Sequence, residues 1–179
     1  MNLEVKQVPI IESPELDLAL EFSYIMFRQM YGCDDKEHFS DYLKELLITS
    51  RSKMFVAYSS NQQVGFAFYG SVCDDSRDEV YMPALECVGT GITFAEKSKT
   101  VGMVGVSPHH WRRNIGSSLL DTILADVRED NILQLYASCV NGTTGPSCQL
   151  FKKKGFQELA VVDQFYYNGA SASIMMKEL

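Results

Sequence analysis

Apolar positions along the chain fall into two rhythms. Alternating or continuous apolar runs at residues 5–11, 54–58, 64–72, 132–137, 156–162 and 170–176 predict strands. The run at 100–106 is apolar on both faces, which predicts a central strand covered on two sides. A helical rhythm links Leu16, Leu20, Phe27 and Tyr31. It follows Ser13-Pro14-Glu15, a capping hydroxyl, a first-turn proline and an early acid, and Gly32 is placed to stop it. Asp34 or Asp35 could cap a second helix bearing Phe39, Leu43, Leu46 and Leu47. Ile115, Leu119, Leu120, Ile123, Leu124 and Val127 line one side of a third. Thr143 or Thr144 could cap a fourth, with Pro146 in its first turn, Lys152-Lys153-Lys154 in its last and Gly155 just past it. Residues 59–62 form a turn, and Asn168-Gly169 predicts a tight closing hairpin. The acidic stretch 73–79 is a loop, and 80–97 has no clear rhythm, so an acidic insertion is expected around 73–98 of a single domain spanning 1–179. The order, βααββ then βαβαββ, predicts an α/β (α+β) fold with a mixed sheet and helices on its faces.

Composition narrows the functions. The chain has 179 residues, enough to bury a core, and 46% are hydrophobic. A net charge of −7 argues against a nucleic-acid partner, which would need a basic surface. No segment is long and apolar enough to span a bilayer, and the amino terminus lacks the apolar stretch of a signal peptide. Cys33, Cys73, Cys87, Cys139 and Cys148 are odd in number and scattered. They suggest neither a disulfide framework nor a zinc site, and with that a reducing cytoplasm and no metal. His109 and His110 read as solvated turn residues, with no further histidine near them in sequence.

Candidate chemistry concentrates where strand 100–106 meets the helix beginning near Ile115. A helix start carries unpaired N–H groups and the positive end of the macrodipole, so it suits phosphate. The backbone of Arg112, Arg113, Asn114, Ile115, Gly116 and Ser117 could cradle a diphosphate, the two arginines adding charge. Gly116 would let a ligand approach without a Cβ in the way, and Asn114 tolerates a left-handed backbone. An ordinary strand–helix turn with surface arginines accounts for the same residues about equally well, since one glycine-containing turn is a weak signal. A dinucleotide or Walker-type phosphate site has no support: neither glycine pattern is present.

Context tips the balance. Val106-Ser107-Pro108, followed by Trp111-Arg112-Arg113-Asn114-Ile115-Gly116, resembles the acyl-CoA-binding pattern V-x-P, a few residues, then [Q/R]-x-x-G-x-[G/A] of the GNAT superfamily of N-acetyltransferases. Leu150-Phe151-Lys152-Lys153-Lys154-Gly155-Phe156 resembles the family's L-Y-x-K-x-G-F signature. The resemblance implies a mixed, mostly antiparallel central sheet flanked by helices, with central strands that splay. It implies acetyl-CoA as co-substrate, its pantetheine arm pairing like an added strand with Val104, Gly105 and Val106. This chain departs from the pattern in several places. Trp111 stands where Gln or Arg is usual, Asn114 for the first glycine, and Phe151 for a tyrosine that often protonates the leaving thiolate. Thr144 falls where a cofactor-contacting Asn is common, and Asn141 could substitute. The helix dipole by itself accounts for the lysine cluster, and the resemblance allows Lys153 a minor role near the cofactor's 3′-phosphate.

The implied reaction is direct attack of an amine on the thioester, with the Val104 N–H polarising the carbonyl. Glu96, or Glu86 further back, is a candidate base, and Tyr136, Tyr166 or Tyr167 a candidate acid, although surface roles for the glutamates and core roles for the tyrosines explain them as well. Phe27 and Tyr31, with Phe39 and Tyr42 and the acidic loop 74–79, would form the acceptor site for a small-molecule or peptide amine. The contrasting reading is a non-catalytic acyl-CoA-binding module of the same fold. A homodimer is left open.

Overall fold

The computed structural model of the chain describes residues 3–9, 14–31, 41, 43–44, 47, 52–71, 92, 94, 97–140, 146–165 and 169–179. Along them run β1 (Leu3–Val8), α1 (Pro14–Tyr31), β2 (Lys53–Ser59), β3 (Gln62–Ser71), β4 (Ser98–Val106), α2 (Ile115–Glu129), β5 (Gln134–Val140), α3 (Pro146–Lys153), β6 (Gln157–Val162) and β7 (Ala172–Glu178). The strands form one seven-stranded sheet in the order β1-β2-β3-β4-β5-β7-β6. Only the β4–β5 pair is parallel. A parallel neighbour requires a crossover, and α2 supplies it.

Alternation along the strands divides the core between the two faces. On one face Leu16, Ala19, Leu20 and Tyr24 of α1 pack with Met54, Val56, Phe66 and Phe68. Leu43 and Leu47 join this cluster, whereas most of the expected second helix lies outside the described residues. On the other face Ile115, Leu119, Leu120, Ile123, Leu124 and Val127 of α2 are buried, the six positions its rhythm marks. Each such burial is worth about 1.5–3 kcal/mol. Gly65 sets how closely α2 approaches: a Cβ there would meet Gly105 O at 2.9 Å, Ile115 Cγ2 at 3.1 Å and Leu119 Cδ1 at 3.2 Å.

Both helices α2 and α3 end in the same device. Asn131 sits left-handed at φ 55°, its N–H bonding to Arg128 O and that of Ile132 to Val127 O. Gly155 does likewise at φ 82°, with Gly155 N–H on Lys152 O and Phe156 N–H on Phe151 O. These are Schellman closures, which satisfy the last carbonyls of a helix. The first moves the start of β5 from the expected residue 132 to Gln134, because Ile132 is spent on the closure.

The ladder of the last hairpin ends at Val162 and Ala172, with residues 163–171 between them, and Asn168 of the expected turn lies outside the described residues. The neck of the hairpin is held by Ser171 Oγ donating to Asp163 Oδ1 at 2.9 Å. One further expectation changes: the cysteines are not all unpaired. Cys139 on β5 and Cys148 on α3 form a disulfide, with Cα atoms 5.6 Å apart. Scattered spacing hid a pair that the return of the chain from β5 into α3 brings together, so cysteine usage does not argue for a reducing compartment. No described helix is long and apolar enough to cross a membrane. The acidic insertion falls mostly outside the described residues.

Candidate active site

The site begins with a failure of pairing in the middle of the sheet. β4 and β5 share register only from Ser98–Gln134 to Val101–Ala137. Beyond that both strands continue, β4 to Val106 and β5 to Val140, without each other. A register shift explains the parting. Phe68 pairs with Met103 but the next residue, Tyr69, pairs with Val101, leaving Gly102 as the extra residue of a bulge. Bulges bend a strand and increase its twist.

The register also decides which backbone groups of β4 face the opening. Ser107 N–H bonds to Val64 O at 2.9 Å. In an antiparallel ladder bonded and non-bonded pairs alternate. Gly105 and Met103 therefore bond to β3 through Phe66 and Phe68, and Val104 and Val106 turn their N–H and C=O groups away from it. The expected row of Val104, Gly105 and Val106 is thus reduced to Val104 and Val106. Gly105 is small for a different reason: a Cβ on it would lie 2.4 Å from the Phe66 ring.

At the end of β4 a single turn of 3-10 helix, Pro108–His110, leads into the basic segment. His109 is exposed, but His110 is only half exposed and its Nδ1 is shielded from water. Arg112 and Asn114 both adopt left-handed backbones, at φ 59° and 61°. Asn114 is the expected stand-in for glycine; the strained Arg112 had no sequence signal. The α2 ladder starts with Ser118 N–H on Asn114 O, so the N–H groups of Ile115, Gly116 and Ser117 precede it. Asn114 gives no side-chain cap to them. They lie beside the open edge of β4: a Cβ on Gly116 would sit 3.6 Å from Val106 Cγ2, 3.9 Å from Val104 Cγ1 and 3.4 Å from Leu150 Cδ2 of α3. Those are ordinary contacts, so packing within the chain does not require glycine at 116 as it does at 105.

Cations frame this corner. Arg112 and Arg113 are exposed. Of the three lysines ending α3, Lys152 pairs with Glu158 at 3.6 Å and Lys154 with Asp121 at 2.6 Å. Lys153 is exposed and has no ion-pair partner among the described residues. Phe151 is 4% exposed, with its ring 5.1 Å from that of Phe156. That pair is the apolar contact accompanying the Schellman closure, so Phe151 serves the core and the helix end.

Tyr136 lies within the paired part of β4 and β5, opposite Thr100. Its hydroxyl donates to Gln134 Oε1 at 3.0 Å, toward the closed end of the fork. Burial pushes its pKa up, so it stays protonated, yet that proton is engaged away from the opening. Glu96 and Asn141 lie outside the described residues, as do Phe39, Tyr42 and the acidic loop. Phe27 and Tyr31 are on α1, with their side chains outside the described part. Among the described residues no group of His, Cys, Asp and Glu could hold a metal ion.

Comparisons with known proteins bear on this corner. The chain is 24% identical over 123 residues to an N-alpha-acetyltransferase of Saccharolobus solfataricus, covering 66% of this chain and 72% of that protein. Its fold matches the ribosomal-protein-alanine N-acetyltransferase of Brucella melitensis with a TM-score of 0.71 at 19% identity, over 98% of this chain and 99% of that one. It matches the PaiA N-acetyltransferase of Thermoplasma acidophilum, solved in complex with coenzyme A, with a TM-score of 0.64 at 14% identity over 100% of both chains. The pattern of the acetyltransferase (GNAT) family covers residues 20–156, from the middle of α1 through β4, the turn at 111–114 and α3. A forked sheet with an open strand edge, beside a helix start entered through left-handed residues, is thus found in a chain that belongs to the GNAT family and is an N-acetyltransferase.

Proposed function

We propose that the fork between β4 and β5 holds acetyl-CoA and that the acceptor is the primary amine of a peptide amino terminus or a small molecule. The carrying observation is the end of β4–β5 pairing at Val101–Ala137, which leaves the backbone of Val104 and Val106 facing an opening. An arm bearing amides can add to such an edge as a strand would. The N–H groups of Ile115, Gly116 and Ser117 hold the diphosphate, shaped by the Arg112–Asn114 turn. Arg112, Arg113 and Lys153 supply charge, Lys153 toward the 3′-phosphate. Asn141 and Phe151 complete the expected cofactor-binding set, Phe151 through packing alone.

Bound acetyl-CoA supplies an activated acyl carbon. The chain's own part is to align that thioester, polarise its oxygen with the Val104 N–H and leave space for the amine. An α-amino group, with a pKa of about 7.7–8.0, is substantially neutral near pH 8 and needs little help from a base. A lysine-type amine, near 10.4, needs far more. The names of the Saccharolobus and Brucella relatives support the α-amine as well. Glu96 remains the proposed base; Tyr136, the proposed acid, must first release its hydroxyl from Gln134 Oε1 to serve the opening.

Thermal-shift assays with acetyl-CoA, CoA and ATP test the binding step. A ligand bound by the folded state raises the midpoint by mass action, and both coenzymes should do so where ATP does not. A thiol-release panel of amino-terminal peptides, polyamines and amino acids tests the acceptor. Turnover confined to neutral or anionic acceptors without a primary amine would overturn that assignment.

A further inference from the structure

Trp111 occupies the acceptor at the end of the open row. Its Nε1 donates to Val106 O at 2.7 Å. Val106 pairs with Gly65 across a non-bonded position of the ladder, so this carbonyl points away from β3 and into the fork. An indole seated on it lies in the path of any arm that pairs along β4. The ring is otherwise lightly held, since the residue is 57% exposed. Its backbone is extended and leads straight into left-handed Arg112. Trp111 is therefore joined to the rigid strand end by one hydrogen bond, on a short turn that also shapes the phosphate corner.

We infer that Trp111 is a displaceable latch on the open edge of β4: its indole N–H stands in for an amide N–H of the coenzyme arm and is exchanged for it when the arm enters. This rests on the proposal that the arm pairs with Val104 and Val106. The exchange replaces one donor on the Val106 carbonyl by another, so the acceptor is never left without a partner. Until then the indole blunts an edge that could otherwise recruit a foreign strand.

Trp111 is the single tryptophan of the chain, so intrinsic indole emission reports this residue alone. Coenzyme A and adenosine 3′-phosphate 5′-diphosphate, which keeps the phosphates but lacks the arm, are each titrated into the full chain. Binding is followed by calorimetry and by emission. The latch predicts that both ligands give heat and only coenzyme A changes the emission, through loss of the carbonyl partner. It also predicts that Trp111→Phe, which cannot donate, binds coenzyme A about fivefold more tightly. That variant should bind the armless nucleotide as the parent does. Heat from coenzyme A with silent emission would refute the latch while leaving the coenzyme site intact. The same emission change with both ligands, or weaker coenzyme A binding by Trp111→Phe, would do the same. No heat from coenzyme A would end both.

Discussion

Glycines at 105 and 116 lie a turn apart in the fold and answer to different demands. At Gly105 the demand is internal: a methyl would overlap the buried Phe66 ring, which is 0% exposed and cannot yield cheaply. Gly105→Ala should cost about 1–3 kcal/mol of stability, as overpacking does. Chemical denaturation measures it. At Gly116 a methyl fits, its nearest neighbour being the flexible end of Leu150 at 3.4 Å. Gly116→Ala should melt within a few degrees of the parent and bind acetyl-CoA more weakly, and a bulky residue there should abolish binding. Equal affinity in the alanine and bulky variants would mean that no ligand approaches this amide. Both glycines stand out in the sequence. Their separate reasons become visible only once Phe66 and Leu150 are in place.

Elements are held to one another by a few specific ties. The Cys139–Cys148 bridge joins one wall of the fork, β5, to the helix that carries Leu150 and Lys153. Closing a loop of separation 9 should stabilise the fold by about 2–3 kcal/mol on the chain-entropy account. Reduction, or Cys148→Ser, should lower the melting temperature accordingly, and a free-thiol count before and after reduction checks that the bridge is the cause. At the other end of α2, Lys53 Nζ lies 3.0 Å from Asp126 and 2.7 Å from Asp130. The buried Tyr69 hydroxyl donates to Asp126 and sits 3.3 Å from Asp130. The Lys53 hydrogen bond holds Asp130 below the ordinary carboxylate range, its small burial opposing this. Its folded pKa is thus lower than its unfolded one. The tie is fully present above the unfolded value near 3.8 and is lost as pH falls through the folded one. Burial pushes Tyr69 up, with Asp126 adding to it, so deprotonation above about pH 10 opposes the folded state. A melting-temperature profile should fall away at both extremes. Lys53→Met should remove most of the acid-side contribution specific to this tie; an unchanged profile would show that the tie contributes nothing.

For the whole molecule, charge and topology pull apart. The chain carries −7 overall, yet the corner proposed to hold an anionic coenzyme is framed by Arg112, Arg113 and Lys153. The Debye length, about 8 Å at physiological salt, decides between them: distant acidic groups are screened and the local cations are not. Coenzyme A affinity should therefore fall severalfold as salt rises from about 0.1 M to about 1 M, where screening reaches about 3 Å. The double variant Arg112→Gln, Lys153→Gln should bind more weakly and with a flatter salt dependence. A dependence as steep as the parent's would place the phosphates elsewhere.

Local interactions made much of this protein legible from sequence. The α2 stripe, the start of α1 at Pro14, the closure at Gly155, the basic turn and the left-handed Asn114 follow from the residue types and their spacing, because backbone sterics and amphipathic periodicity act over a few neighbours. The family resemblance supplied the expectation of a splayed sheet. Tertiary structure decided what depends on residues distant in sequence. The bulge at Gly102 takes its register from β3, and that register turns Val104 and Val106, but not Gly105, toward the fork. The Cys139–Cys148 bond and the Trp111–Val106 contact need chain segments to return to one place. Burial alone assigned Phe151 to the core. Such contacts are selected by packing the two sheet faces at once, a constraint that no short stretch of sequence contains.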